Sequence, residues 1–132
     1  MATVLFVCLH NAGRSQMSAA LFEREAARRH SALSAGTTPA DHVHPEVVEA
    51  MREVGIDLSD KLPQMLTTDL AERADVVVTM GCGDSCPHIP GKRYVDWDLA
   101  DPKAKPLPAV RTIRDEIARR TAELVAELDG RS

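Results

Sequence analysis

The stretch VLFVCLHNAGRSQM, residues 4–17, opens with four apolar residues, continues with a cysteine, and reaches an arginine and a serine six and seven positions later. The apolar run over residues 3–7 is short, as expected for a strand covered on both faces in a parallel sheet. Residues 14–30 repeat apolar positions at helical spacing and contain neither Gly nor Pro, which favours a helix. Cys8 is therefore expected where a buried strand ends and a helix begins.

The rest of the chain continues this alternation of strands and helices. One helix is predicted between Pro45 and Gly55, which are typical residues for the start and the end of a helix. Such alternation favours an α/β fold with an open parallel four-stranded sheet and helices on both faces. Ligands of such sheets bind beyond the carboxyl ends of the strands, which is where the first cysteine follows its strand. Further strands are predicted over residues 30–36, 75–80 and 92–97, and further helices over residues 68–73 and from residue 107 onward.

Composition narrows the functional class. The 132 residues, 44% of them hydrophobic, fit one domain over residues 1–132. The net charge of −4 argues against a nucleic-acid binder, because phosphate backbones attract a basic face. The chain shows no signal-peptide pattern and no apolar run long enough to span a membrane, so we expect a cytoplasmic protein without membrane association. Its three cysteines are an odd number, which is untypical of a disulfide framework, and we expect thiols.

The loop CLHNAGRS, residues 8–15, has the features of an anion-binding site. It leads from a strand into a helix N-terminus, where unpaired backbone N–H groups and the helix dipole favour negative charge. Ala12 and Gly13 are small enough to let the backbone fold around an anion. Arg14 offers a planar fork for two oxygens of a tetrahedral oxyanion. We therefore predict an oxyanion-binding loop.

Cys8 is the candidate nucleophile of this loop. The positive field of the loop favours the thiolate, which is the attacking form, and Ser15 can donate a hydrogen bond to the sulfur. These residues predict covalent catalysis on an oxyanion. The alternative is that Cys8 only fills space at the end of a core strand, but the spacing C-x5-R-S between strand and helix favours catalysis. We expect His10 at the rim of the pocket, and the segment DHVHP, residues 41–45, as a surface turn rather than a metal site.

This loop, together with DLADP at residues 98–102, resembles the low-molecular-weight protein tyrosine phosphatase superfamily, which includes thioredoxin-coupled arsenate reductases. The resemblance spans essentially the whole chain and implies a flavodoxin-like three-layer fold. It also implies that Asp101, in its Asp-Pro pair, is the general acid that protonates the departing oxygen. The resemblance further implies that the loop binds the oxyanion through its backbone, with Leu9, His10, Asn11, Ala12, Gly13 and Arg14 as the binding residues.

The cysteines of MGCGDSCP, residues 80–87, favour the reductase branch. The resemblance implies that Cys8 attacks arsenate, that Cys82 then forms a Cys8–Cys82 disulfide as arsenite leaves, and that Cys86 converts it into a Cys82–Cys86 disulfide. Reduced thioredoxin is the expected electron donor, with a low-molecular-weight thiol as the alternative. Phosphate and sulfate are expected to compete with arsenate. The two later cysteines stand closer together in this chain than in the best-known reductases.

Two other functions remain open. A tyrosine phosphatase shares the loop and the acid, but such enzymes place aromatic residues beside the Asp-Pro pair, and DPKAKP, residues 101–106, contains none. A zinc or thiol sensor would use Cys82, Cys86 and His88, although a structural zinc site normally needs four ligands. Potassium-dependent members of the family use an acidic residue where this chain has Ala19. We therefore predict no metal and no bound cofactor.

Overall fold

The computed structural model describes residues 1–81 and 91–130. Within these ranges the chain forms a parallel sheet of four strands in the spatial order β2-β1-β3-β4. The predicted fold class is confirmed. The strands are β1 (Thr3–Cys8), β2 (Ser31–Gly36), β3 (Val76–Thr79) and β4 (Arg93–Asp96), and the helices are α1 (Arg14–Ala26), α2 (Pro45–Arg52), α3 (Thr68–Arg73) and α4 (Leu107–Asp129).

The central position of β1 explains its unbroken apolar sequence. Its neighbours β2 and β3 both pair with it in parallel, and helices cover the sheet on both sides. Val4 and Phe6 point to the face packed by α1 and α4, whereas Leu5 and Val7 point to the face packed by α3. Because successive side chains of a strand alternate between faces, Cys8 falls on the same side as Phe6, toward α1.

α1 ends earlier than the sequence predicts. The absence of Gly and Pro favours a helix as far as residue 30, but the observed helix stops at Ala26. Ala27 and Arg28 then adopt left-handed φ angles of 49° and 74° and turn the chain toward β2. The turn places the ring of His30 where its Nδ1 accepts a hydrogen bond from the backbone N–H of Ala2. Tertiary contacts therefore set the end of this helix.

The longest helix of the described residues is α4, and it packs across α1 and α2. Its apolar stripe includes Val110, Ile113 and Ile117, which are buried in one cluster with Met17 of α1 and Met51 of α2. No helix within residues 1–81 and 91–130 combines the length and apolar character needed to cross a membrane.

Candidate active site

Cys8 is the last residue of β1, and its thiol is almost fully enclosed. Only 2% of the residue is exposed. Its Sγ lies 2.9 Å from Oγ of Ser15, which belongs to the first turn of α1. The thiol therefore stands at the carboxyl edge of the sheet, against the N-terminus of a helix, where the helix dipole favours a negative charge.

Asn11 holds the loop between Cys8 and α1 through both ends of its amide. Its backbone has a φ of 50°, a left-handed conformation that Asn tolerates better than most residues. Its Nδ2 donates to Oγ of Ser15 at 2.7 Å. Its Oδ1 accepts from Nε2 of Gln16 at 3.2 Å and from the backbone N–H of Gln64 at 2.9 Å. The sequence analysis missed both glutamines, because nothing in their local sequence indicates contact with this loop.

Arg14 opens α1 and carries the positive charge of the site. Its side chain is only 7% exposed. Nη1 donates to the carbonyl oxygen of Leu99 at 3.2 Å, and Nη2 lies 3.6 Å from Oδ2 of Asp101. Both partners belong to the segment after β4. The guanidinium therefore connects the oxyanion loop with the segment that carries the candidate acid.

Asp101 lies in a turn that contacts the loop. Its Oδ1 accepts a hydrogen bond from the backbone N–H of Lys103 at 2.9 Å, which leaves Oδ2 directed toward Arg14. The carboxyl side chain is 42% exposed, so it can exchange protons with solvent. The next residue, Pro102, is buried and lies against Gly13 of the loop. The structure thus brings the predicted acid and the predicted oxyanion-binding residue Arg14 together.

His10 lies on the outer side of the loop and is half-buried. Its Nδ1 donates to the carbonyl oxygen of Thr38 at 3.1 Å. Backbone hydrogen bonds run the other way, from Thr38 to the carbonyl of Leu9 at 2.8 Å and from Ala40 to the carbonyl of His10 at 3.0 Å. These contacts tie the loop to the segment after β2 and place His10 at the loop's edge.

His44 lies closer to the loop than a surface turn requires. His42 is exposed, as expected, whereas His44 is half-buried and its backbone N–H donates to the carbonyl of Ala12 at 3.0 Å. Burial lowers the pKa of the His44 imidazole, and the nearby carboxylate of Asp101 opposes that effect in part. The sequence analysis did not place this histidine at the site.

The comparison with protein families gives a direct assignment. A sequence model of the family described as "Low molecular weight phosphotyrosine protein phosphatase" matches residues 3–132. The chain belongs to this family. Since that match spans nearly the whole chain, the loop and the Asp-Pro turn both fall within the family's matched region.

Members of the family with different activities are similar to this chain. It is 46% identical over 129 residues to a protein of Halobacterium salinarum named "Putative arsenate reductase", covering 94% of this chain and 91% of that protein. A solved thioredoxin-dependent arsenate reductase of Corynebacterium glutamicum superimposes with a TM-score of 0.87 and 42% identity. That match covers 100% of this chain and 64% of the Corynebacterium chain. An arginine phosphatase from Geobacillus stearothermophilus superimposes with a TM-score of 0.88 and 26% identity, covering 99% and 95% of the two chains.

Two predicted site residues of this family member, Cys82 and Cys86, lie outside the described residues. The residue before them is described: Gly81 follows the end of β3 with a φ of 80°. A Cβ atom built on Gly81 would lie 2.1 Å from Nη1 of Arg14, so the guanidinium packs directly against this glycine. The segment that leads into Cys82 therefore starts in contact with Arg14.

The sequence analysis predicts no metal site, and this prediction concerns residues both inside and outside the described ranges. Within residues 1–81 and 91–130, no group of three or more His, Cys, Asp or Glu side chains is arranged to hold a metal ion. Cys82, Cys86 and His88, the candidate zinc ligands, fall outside these ranges. The amide of Asn11 makes hydrogen bonds to Ser15 and to the backbone N–H of Gln64.

Proposed function

We propose that this chain is an arsenate reductase in which Cys8 attacks arsenate, and Cys82 and Cys86 pass the resulting disulfide to thioredoxin. The observation that carries the proposal is the contact between Gly81 and the guanidinium of Arg14. Gly81 directly precedes Cys82 in the chain, so the described residue next to the second thiol contacts the arginine that we propose binds the oxyanion. A phosphatase has no need of a second thiol there.

The first step forms a bond between arsenic and sulfur. The Cys8 thiolate, stabilised by the hydroxyl of Ser15 at 2.9 Å, attacks arsenate held by the loop backbone and Arg14. One arsenic–oxygen bond breaks as the new bond forms. That oxygen is a hydroxyl group of arsenate, which takes one proton from Asp101 and leaves as water. Arsenic remains in its pentavalent state at this stage.

The second step transfers two electrons. Cys82, as thiolate, attacks the sulfur of Cys8, and the electron pair of the sulfur–arsenic bond moves onto arsenic. Arsenite leaves, and the two sulfurs, oxidised together by two electrons, form the Cys8–Cys82 disulfide. Cys86 then attacks Cys82, which releases the Cys8 thiolate and forms the Cys82–Cys86 disulfide. Two electrons from thioredoxin reduce this disulfide and complete the cycle.

The test is arsenate reduction coupled to thioredoxin, thioredoxin reductase and NADPH. Cys8→Ser, Cys82→Ser and Cys86→Ser are each expected to abolish steady-state turnover. Cys86→Ser is the informative variant, because it should release about one arsenite per chain and retain a Cys8–Cys82 disulfide. Cys82→Ser should release none. Turnover that survives in Cys82→Ser when a low-molecular-weight thiol is present would retain the reductase and contradict the relay.

The acid has a separate test within the same assay. Asp101→Asn keeps the shape of the side chain and removes its proton, so kcat should fall roughly 100-fold or more. Affinity for inorganic phosphate, measured by calorimetry, should remain, since Arg14 and the loop are unchanged. A variant with normal kcat would remove Asp101 from the mechanism.

A phosphatase is the second candidate, and the similarity to an arginine phosphatase favours it. Both activities need the loop, Cys8 and Asp101, so these residues do not discriminate between them. Low aromatic content argues against a phosphotyrosine substrate, because only 3% of the residues are aromatic. Efficient hydrolysis of p-nitrophenyl phosphate or of phosphoarginine, with no arsenite formed from arsenate, would favour the phosphatase over the reductase.

A further inference from the structure

The turn that carries the candidate acid rests on a glycine of the oxyanion loop. A Cβ atom built on Gly13 would lie 2.6 Å from Cγ and 3.4 Å from Cδ of Pro102. It would also lie 3.6 Å from Cδ2 of His44 on the other side. Gly13 and Pro102 are both buried, so the proline ring fills the space that any side chain at Gly13 would occupy.

This contact lies one residue from the candidate acid, Asp101. Pro102 follows Asp101 directly, and its ring fixes the backbone φ at that position. The hydrogen bond from Lys103 to Oδ1 fixes the other side of the turn. Gly13 precedes Arg14, whose Nη2 lies 3.6 Å from Oδ2 of Asp101. The contact between Gly13 and Pro102 therefore joins the two residues that directly neighbour Arg14 and Asp101 in the chain.

We infer that Gly13 is a positioning residue for the general acid: its missing side chain seats Pro102 and thereby sets the distance between Asp101 and the bound oxyanion. This inference rests on the proposed role of Asp101 in catalysis. It gives Gly13 a function beyond the flexibility of an anion-binding loop. A side chain at this position would overlap the ring of Pro102.

The experiment measures Gly13→Ala alone and in two backgrounds, Pro102→Ala and Asp101→Asn. Gly13→Ala alone should lower kcat for arsenate reduction roughly 10- to 100-fold, because a displaced acid loses part of its contribution. In the Pro102→Ala background the ring is gone and the added methyl group has space. The effect of Gly13→Ala should then shrink to about twofold, and this non-additivity is what two residues in direct contact are expected to show.

The Asp101→Asn background separates a displaced acid from a distorted loop. If Gly13 acts through Asp101, Gly13→Ala should change kcat by no more than about twofold once the acid is absent. The Kd for inorganic phosphate, measured in the same variants, reports any distortion of the loop, and a rise in Kd with Gly13→Ala that accounts for the loss of activity would overturn the inference. A Gly13→Ala effect that persists in the Asp101→Asn background, or a normal kcat in Gly13→Ala, would overturn the inference.

The control is Gly130→Ala, at the far end of α4, where φ is −70° and the helix accepts alanine. Its kcat should match that of the unsubstituted chain, and thermal unfolding should confirm that every variant folds. If the unsubstituted chain hydrolyses p-nitrophenyl phosphate but does not reduce arsenate, the proposed function fails. The inference about Gly13 is then tested by comparing kcat for hydrolysis among the same variants. Both reactions require the proton of Asp101, so the expected pattern is unchanged.

Discussion

At the scale of single residues, the direction of one hydrogen bond decides what Ser15 does. Its Oγ accepts from Nδ2 of Asn11 at 2.7 Å, and an amide nitrogen can only donate. The hydroxyl proton of Ser15 is therefore available to the sulfur of Cys8 at 2.9 Å. Asn11 thus acts through Ser15 on Cys8, the proposed nucleophile.

Ser15→Ala removes this donor and should disfavour the thiolate. A hydrogen bond to a charged group is worth about 1.5 to 3 kcal/mol. The rate at which iodoacetamide alkylates Cys8 at neutral pH should therefore fall roughly tenfold, because the thiolate is the reacting form. Mass spectrometry of the Cys8 peptide separates this reaction from those of the other thiols. Ser31→Ala, at the opposite edge of the sheet, is the control, and an unchanged alkylation rate in Ser15→Ala would contradict this role of Ser15.

At the scale of elements, the end of β3 supports the guanidinium of Arg14. Gly81 has a φ of 80° and contacts Arg14, so alanine there would meet both a backbone penalty and a clash. We expect Gly81→Ala to raise the Kd for inorganic phosphate roughly tenfold, because the displaced guanidinium loses a charge-assisted hydrogen bond to the anion. Isothermal titration calorimetry measures this.

Gly55→Ala is the matched control for that substitution. Gly55 has a similar φ of 84°, but an added Cβ would meet no atom within 4 Å. Both variants should lose stability through the backbone, and only Gly81→Ala should lose phosphate affinity. Equal affinities in the two variants would show that the contact with Arg14 has no part in oxyanion binding.

The elements also show which features a sequence can predict. β1 and α2 can be predicted because their signals are local. β1 is an unbroken apolar run, and Pro45 and Gly55 stand at the boundaries of the second helical segment. The loop from Cys8 to Ser15 can be predicted for the same reason. The early end of α1 cannot be predicted in this way, since Ala27 and Arg28 take left-handed φ angles although neither is a glycine.

The contacts that align the site are non-local as well. Gly13 with Pro102 and Gly81 with Arg14 join segments far apart in the chain. A glycine in a sequence predicts conformational freedom, but it does not reveal which side chain fills the space left by its missing Cβ. His44 illustrates the same limit, because a histidine beside a proline is typical of a surface turn until tertiary structure places it against the loop.

At the scale of the whole molecule, ion pairs fasten both ends of α4 to the rest of the fold. Near its start, Arg111 and Arg114 bind Glu53, just after α2, at 2.6 Å and 2.9 Å. At its end, Asp129 accepts from Arg29 at 2.9 Å and from His30 at 2.8 Å. These hydrogen bonds, that of Arg29 first, lower the pKa of Asp129. The apolar stripe of α4 is thus held in register at both ends.

The ion pairs at Glu53 predict a pH dependence of stability. The hydrogen bond from Arg111, followed by that from Arg114, lowers the pKa of Glu53 from 4.5 to about 2. A carboxyl group whose pKa is lower in the folded state stabilises the fold above its unfolded pKa, and this contribution is lost as pH falls through the folded value. The contribution of Glu53 should therefore be complete above pH 4.5 and fade as pH falls to about 2.

Glu53→Gln removes the charge and isolates this contribution. At neutral pH the variant should melt at a lower temperature than the unsubstituted chain, and the gap should narrow as pH falls below 4.5 toward about 2. Because these side chains are near the surface, 1 M salt should also narrow the gap at neutral pH. Glu49→Gln is the control, since its carboxylate forms an exposed pair with Arg52 at 3.8 Å and acts on Arg111 through its charge without a hydrogen bond. A difference in melting temperature that stays constant with pH would contradict the prediction. The ion pairs of Glu53 with Arg111 and Arg114 would then contribute nothing to stability, and packing of α4 against α2 would account for it.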